Sequence, residues 1–518
     1  MRKLLICSIA VASSACDARG PDGALWTTLQ SLAAPEGLTP PVDRSNARAL
    51  DPITQELGHK MYFDPDFSGN ATLVDTLGRT VTSPPGRAVK GVRINASCAT
   101  CHDPARGGTD HSSLAGVSIG AGAYDVSSQP SVNSAFNELW YWNGRNDSLW
   151  AQIIAVTESG VSMGGNRLRV MWRIAEAYRA EFEPMFGALP VTVSLARQKA
   201  RLLVPTSTVG ACALDANQMC PEGCVSETMP AMGCFLRFPL EGHPGREAGC
   251  QRGSRTEPFG DAYDCMAAAD KDAVTKVYVG FAKAVAAYET SLISDDSPFD
   301  RWVAERVAGK EDSGILSDSA QRGAELFAGR ASCVECHSGP LLTDNQFHDI
   351  GIPQNGDFIP TEDACVAGLA ACDCVAGTSC LPWGLHDGLG KLQKNGFRRD
   401  SKWSDDSTDD SRAHFYRMDL TTDAGIALRG KWKTPGLRDV AITAPYMHTG
   451  GYRTLREVVE HYNWGGHGSR YAVDAKVVPL GLSDHDLDDL TAFLESLTGD
   501  AMPLEQVTAP PLPASSVF

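Results

Sequence analysis

The sequence predicts a mainly α-helical chain of two similar domains that carry long, disulfide-rich loop insertions. Three observations predict it. The pentapeptide Cys98-Ala99-Thr100-Cys101-His102 returns as Cys333-Val334-Glu335-Cys336-His337, once in each half. Apolar residues recur at helical spacing in stretches flanking both copies, whereas strand signals are few. Most other cysteines gather in two compact, even-numbered groups inside Gly- and Pro-rich segments.

The repeated motif has a chemical reading. Two cysteines one helical turn apart suit thioether bonds to the two vinyl groups of haem, and the adjoining His offers its imidazole to the iron. Half of a zinc site, or a redox C-x-x-C, is the competing reading. Zinc would need all four sulfurs close together, and His directly after both pairs favours two covalently bound c-type haems. The anchors are then Cys98, Cys101 and His102 for one haem, and Cys333, Cys336 and His337 for the other.

At 518 residues and 43% hydrophobic the chain suits two or three domains with ample core. A formal charge of −17 argues against a nucleic-acid partner and suits a basic electron donor. Residues 1–16 read as an export signal: Arg2 and Lys3, an apolar run from Leu4 to Ala12, then Ser13-Ser14-Ala15 before Cys16. The ending resembles a lipobox, with ordinary cleavage after Ala15 as the alternative, and either places the protein outside the cytoplasm. The run is too short to span a bilayer, so a lipid on Cys16 is the one membrane attachment expected. Of 16 cysteines, Cys7 leaves with the signal and four belong to the haem motifs. Six between Cys212 and Cys265 and four between Cys365 and Cys380 fit three plus two disulfides in an oxidising compartment. Cys16 is left over, which favours its lipidation.

In chain order, residues 17–45 read as a linker rich in Ala, Pro, Gly and Asp. Residues 46–300 form the N-terminal haem domain, opened by Glu56 to Pro65. Apolar residues at Leu168, Met171, Ala175, Tyr178 and Phe182 predict one helix there, and Val277, Phe281, Val285, Tyr288 and Leu292 another. Between them, 206–266 is a Cys-rich insertion, and Asp296 to Asp300 ends the unit. Residues 301–500 form the C-terminal haem domain, begun by a helix capped at Ser317. Its insertion, 355–427, holds the acidic run Asp405 to Asp410, read as a solvated loop. Ser483 caps a last helix that buries Leu487, Leu490, Leu494 and Leu497 and stops at Gly499. Residues 501–518 are a loose tail.

The second axial position of each iron decides what the haem does. In Thr454 to Tyr462, Thr454 and Glu457 make a capping box, and Leu455, Val458, Val459 and Tyr462 share a helix face, so Tyr462 points inward. Met447 and His448 compete with it as ligands by residue chemistry. Here the chain resembles the bacterial dihaem cytochrome c peroxidase family, including its MauG-like branch. The matching passages are Leu57 to Pro65, Ser97 to Pro104, Pro130 to Asn133 with Trp142 to Arg145, Asp296 to Asp300, Cys333 to Pro340 with Phe347 to Gly351, and Lys433 through Gly451. The resemblance implies two cytochrome-c-like helical domains, with peroxide reacting at the His102 haem and electrons relayed from the His337 haem. It implies Tyr462 as second ligand of the latter, as in MauG-like members, and Trp142 as the ring between the haems. It further implies a calcium ion held by the carbonyls of Thr443 and Pro445, with Ser128 standing where the family has Asn.

The pattern breaks twice, both times near the first haem. Where the family carries a blocking His, this chain has Ser118-Ile119-Gly120-Ala121, and Ala121 cannot ligate iron. Where the family has its distal Glu, this chain has Ser162 before Met163, although Gln152 is present. Peroxide cleavage asks for an acid–base group, and Glu158, one helical turn before Ser162, is the candidate substitute; a surface carboxylate is the alternative. The sequence thus predicts an exported dihaem peroxidase taking electrons from a small cytochrome or cupredoxin, or oxidising a protein substrate as MauG does. Its rival is an electron-transfer dihaem cytochrome with little peroxidase activity.

Overall fold

Two crossed helix pairs carry the fold, one in each half. Pro52–Phe63 packs across Ala268–Thr290, and Asp318–Ala328 packs across Asp484–Glu495. A glycine closes each crossing: a methyl group on Gly58 would overlap the Ala284 carbonyl oxygen, and one on Gly323 that of Asp489. The structure is a computed structural model that describes residues 23–75, 80–81, 89–111, 116–192, 224–227, 233–242, 244, 263–264, 266–310, 314–352, 384–466 and 471–514. Among these it is mostly helical, with two short two-stranded sheets.

Each pair nucleates its own core. The first gathers Leu57, Met61, Trp150, Trp172, Tyr278 and Phe281, with Leu149–Thr157 and Arg167–Ala177 laid against Ala268–Thr290. The second gathers Phe299, Trp302, Phe327, Leu455, Leu490 and Phe493. Local signals set the helix starts. Asp51 caps before Pro52, Asn166 accepts from the Arg169 amide at 3.0 Å, and capping boxes stand at Ser297/Asp300, Thr454/Glu457 and Ser483/Asp486.

Several expectations change. Residues 23–32 of the expected linker form a helix whose Leu29 and Leu32 are buried in the second core. Apolar residues in an otherwise Ala- and Pro-rich stretch find a partner surface far along the chain. The single helix expected over Leu168 to Phe186 is two, Arg167–Ala177 and Arg179–Phe186. Tyr178 leaves helical geometry between them, and its hydroxyl donates to Asp64 at 2.8 Å. Asp296 to Asp300 opens the helix Pro298–Val307, which belongs to the second core, so the border expected at 300/301 cuts through a helix. Asp300 is fixed there by Arg438, at 2.6 and 3.0 Å.

The acidic run is not simply a solvated loop, because two buried cations and one exposed one claim it. Asp405 accepts from Lys283 at 2.7 Å, Asp409 pairs with Arg399 at 2.9 Å, and Asp406 pairs with Arg44. Nor is the tail loose as far as Ala514. Tyr288 donates to the Gln506 carbonyl at 2.8 Å, Arg173 to that of Ala514 at 3.0 Å, and Val507 is buried. The later part of the expected insertion 355–427 is folded: Leu385, Leu389 and Leu392 pack with Leu139 and Phe347, joining the two halves. Within the earlier insertion, Cys224–Glu227 and Gly233–Leu236 pair as antiparallel strands. The disulfides expected of both cysteine clusters, and Cys16, lie outside the described residues and side chains. Among the described residues no helix is long and apolar enough to cross a membrane.

Candidate functional site

Each half holds a large, mainly apolar cavity that opens to solvent, of about 1120 Å³ in the first and about 1400 Å³ in the second when the space at the mouth is included. Each is lined by the two cysteines and the histidine of one C-x-x-C-H motif. In the first, Ser97 begins the single turn Cys98–Cys101, setting both thiols on one side. Burial pushes the Cys98 and Cys333 thiols up, which suits uncharged groups awaiting covalent capture.

The two histidines are held by the same device. His102 Nδ1 lies 3.0 Å from the Gly108 carbonyl oxygen and 2.9 Å from that of Gln129; His337 Nδ1 lies 2.9 Å from that of Leu342. A carbonyl can only accept, so the proton sits on Nδ1 and Nε2 keeps its lone pair for a metal. Burial lowers the pKa of both imidazoles and keeps them neutral, as a ligand must be. Cavity volume, paired buried thiols and neutral imidazoles together fit haem.

Around the first cavity, Gln152, Ser162 and Met163 line one part of the wall. Ala121 does not line it: it is fully buried, and its methyl packs beside Gly164. His102 is the one imidazole among the described lining residues. Glu158 departs from expectation. It neither lines the cavity nor sits on the surface; Arg167 donates to it at 2.8 Å from Nε and 2.6 Å from Nη2. The reason is that Glu158 closes the helix Leu149–Thr157 where the buried Arg167 needs a counter-ion.

Around the second cavity stand Tyr462, Met447 and His448, so all three ligand candidates reach it. Burial, then the nearby Cys333 and Cys336 sulfurs, push the Tyr462 phenol up. His448 is stacked on Trp432 with ring centres 4.1 Å apart, and burial lowers it to about 3. Trp142 lines both cavities and donates from Nε1 to the Ser127 carbonyl oxygen at 2.9 Å. Ser127 in turn ties the halves together, its hydroxyl donating to the Met447 carbonyl and its amide to that of His448, both at 2.8 Å. Close by, Thr443, Pro445 and Ser128 meet around a small pocket with Thr109 and Asp110, an oxygen-rich set that suits a hard cation.

Sequence reasoning missed several groups. Lys433 is buried on the second cavity, and burial lowers it to about 7. Glu289 lines the first cavity, raised by burial to about 8. His461, fully buried, sits between the Tyr452 hydroxyl at 3.0 Å and the Ile350 carbonyl oxygen at 2.8 Å. Tyr124 reaches the first cavity from a loop and meets Ser162. Lys433 stands in a passage already singled out and Glu289 beside the inward Tyr288; no pattern marks Tyr124.

Comparison with known proteins agrees with the geometry. Residues 52–203 match the family described as di-haem cytochrome c peroxidase. The chain is 26% identical over 462 residues to the cytochrome-c peroxidase IdrP1 of Denitromonas iodatirespirans, covering 88% of this chain and 84% of that one. It is 24% identical over 520 residues to the methylamine utilization protein MauG of Methylorubrum extorquens, covering 98% and 96%. Its fold is similar to the crystal structure of a MauG-like protein associated with microbial copper homeostasis, at 20% identity and a TM-score of 0.52, covering 92% of this chain and 98% of that one.

Proposed function

From a chain that belongs to the di-haem cytochrome c peroxidase family and holds two c-type haems, we propose an exported peroxidase whose reactive centre is the cavity on His102 and whose electron entry is the cavity on His337. The observation that carries the reading is the pair of cavities, each with a C-x-x-C-H motif and an Nδ1-anchored histidine, sharing Trp142 as a common wall. Bound haem supplies the iron that takes the peroxide and the electrons that cleave it. The protein does the rest. Cys98, Cys101, Cys333 and Cys336 would anchor the two haems, His102 and His337 would hold their irons, and Tyr462 would join His337 in holding the second. A tyrosinate favours the ferric state, so this haem is easier to oxidise than a Met-ligated one. Ala121 leaves the first site unblocked, Gln152 offers its amide to the bound ligand, and Trp142 passes electrons between the cavities.

The remaining assignments follow from the same reading. Thr443 and Pro445, with Ser128 and Asp110 beside them, hold calcium at the seam. The donor is a small cytochrome or cupredoxin; a protein substrate oxidised as by MauG is the variant of the same chemistry. Export through residues 1–16, a lipid on Cys16 and disulfides in both Cys-rich insertions place the protein beyond the cytoplasmic membrane.

The test mixes the ferric holoprotein with hydrogen peroxide and a reduced small cytochrome. Donor oxidation that depends on peroxide is expected; an unmoved Soret band and unoxidised donor within seconds overturn the reading. One observation favours a rival, an electron-transfer cytochrome with little peroxidase activity: Ser162 is not a carboxylate, and Glu158 is withdrawn into its ion pair. Ser162→Glu separates the two. A large gain in peroxide rate means that the native site is weak, whereas little change means it already has its acid–base group.

A further inference from the structure

We propose that Tyr124, held by Ser162, is the acid–base group of the first cavity and moves the proton that peroxide cleavage requires. The proposal deepens the peroxidase reading and rests on it. Among the described residues three ionisable side chains line this cavity besides the haem anchors: Tyr124, Tyr141 and Glu289. Glu289 belongs with the His102 side. It accepts from Ser134 at 3.5 Å and neighbours Cys98 and Tyr62, and the Tyr62 phenol donates to the His102 carbonyl oxygen at 2.6 Å. Tyr141 is engaged elsewhere: its hydroxyl donates to the Gln152 carbonyl at 3.3 Å, and the Arg145 guanidinium lies 3.3 Å from its ring centre.

Tyr124 is differently placed. Ser162 Oγ donates to its oxygen at 2.7 Å, while its own proton has a contact of 3.5 Å with Ser159 Oγ, at the limit of hydrogen bonding. That proton is available to a small ligand in the cavity. The bond accepted from Ser162 fixes the position of the phenol oxygen. The backbone fixes the pair. The Ala121 amide donates to the Ser162 carbonyl at 2.6 Å, the Gly122 amide to that of Val161 at 3.1 Å, and a methyl group on Gly120 would overlap the Ser162 carbonyl oxygen. The loop carrying Tyr124 is thereby locked onto the turn carrying Ser162.

Overall, hydrogen peroxide takes two electrons, delivered by the donor through the haems, and two protons from solvent, and gives two waters. As the O–O bond breaks, Tyr124 gives its proton to the outer oxygen, which leaves as water, and the phenolate takes one from the inner oxygen, ending as it began. The experiment compares Tyr124→Phe and Ser162→Ala in the full haem-loaded chain. For Tyr124→Phe the peroxide rate constant should fall about 100-fold or more, the range of general acid–base effects. Ferric fluoride, stabilised by a donor in the cavity, should bind about tenfold more weakly. Covalent haem content and the resting spectrum should hold. Ser162→Ala, which removes one hydroxyl and serves if the first variant fails to fold, should lose about tenfold in rate. Adding Ser162→Glu to Tyr124→Phe should restore the rate, which a purely structural ring would not allow. Wild-type rate and fluoride affinity in Tyr124→Phe overturn the proposal. A wild-type protein inert to peroxide, yet losing fluoride affinity on Tyr124→Phe, sinks the peroxidase reading and leaves the placement of that proton standing.

Discussion

The Glu158 carboxylate and the Arg167 guanidinium lie side by side in the interior, with 12% and 9% of their side chains exposed. Burial works against the Arg167 charge, but Glu158, with Tyr263 and Tyr278 beside it, leaves Arg167 raised overall. Arg167 also donates to the Thr275 hydroxyl at 3.1 Å, so the pair joins two helices. Removing one partner strands the other charge, and Glu158→Gln should cost about 3–5 kcal/mol in chemical denaturation. Its folded fraction should keep the wild-type peroxide rate; a lost rate with intact stability would return Glu158 to the chemistry. Glu289, on the wall of the first cavity, has no such partner charge. Burial raises it from 4.5 to about 8, so the folded protein keeps a proton that the unfolded chain gives up near 4.5. Its contribution to stability is fully present below pH 4.5 and is lost as the pH rises to about 8. Glu289→Gln should flatten that slope, and denaturation midpoints taken at pH 5 and about pH 8 give the comparison.

At the scale of elements, what could be read in the sequence was local. The capping boxes at Thr454 and Ser483 are fixed by neighbours three residues away, and both helices start where those residues say. Tyr462 was placed inward by the spacing of its helix, and it lines the second cavity. What could not be read depends on a partner surface distant in sequence. The helix Gly23–Leu32 has two buried leucines, and only the second core gives them a place. Tyr178 breaks its helix because a carboxylate 114 residues away draws its hydroxyl. Tyr124 joins a cavity through loop backbone that has no periodicity to read. The tail is a further case. Gln506 donates to the Ser291 carbonyl at 2.6 Å and accepts from Tyr288, while Arg173 reaches Ala514. Each bond contributes roughly 1 kcal/mol and burying Val507 about 1.5–3. A chain ending at Met502 should therefore unfold at clearly lower denaturant than the full chain; an unmoved midpoint would mean that the tail merely lies on the surface.

For the whole molecule the question is how two separately cored domains act as one. Trp142 belongs to the first half by sequence yet lines both cavities, and its indole N–H holds the Ser127 carbonyl. Ser127 is bonded from hydroxyl and amide to the carbonyls of Met447 and His448, in the second half. The ring is thus held by Ser127, which main-chain groups of the second half hold in turn. His448 lies next to it with ring centres 6.3 Å apart, and Trp432 is stacked beyond, so aromatic surface continues from the seam into the second cavity. Such an arrangement gives the two cavity walls one continuous aromatic contact. Trp142→Phe keeps a ring of similar shape but removes the indole and its bond to Ser127. If electrons pass through this residue, donor-driven peroxide turnover should fall by about tenfold or more, equivalent to roughly 1.4 kcal/mol of barrier. The affinity of either haem for a small ligand should change little, because neither His102 nor Tyr462 is touched. Stopped-flow records of reduced donor against peroxide, read beside fluoride titrations of the same variant, separate the outcomes. Turnover that survives the substitution would place the electron path elsewhere on the seam.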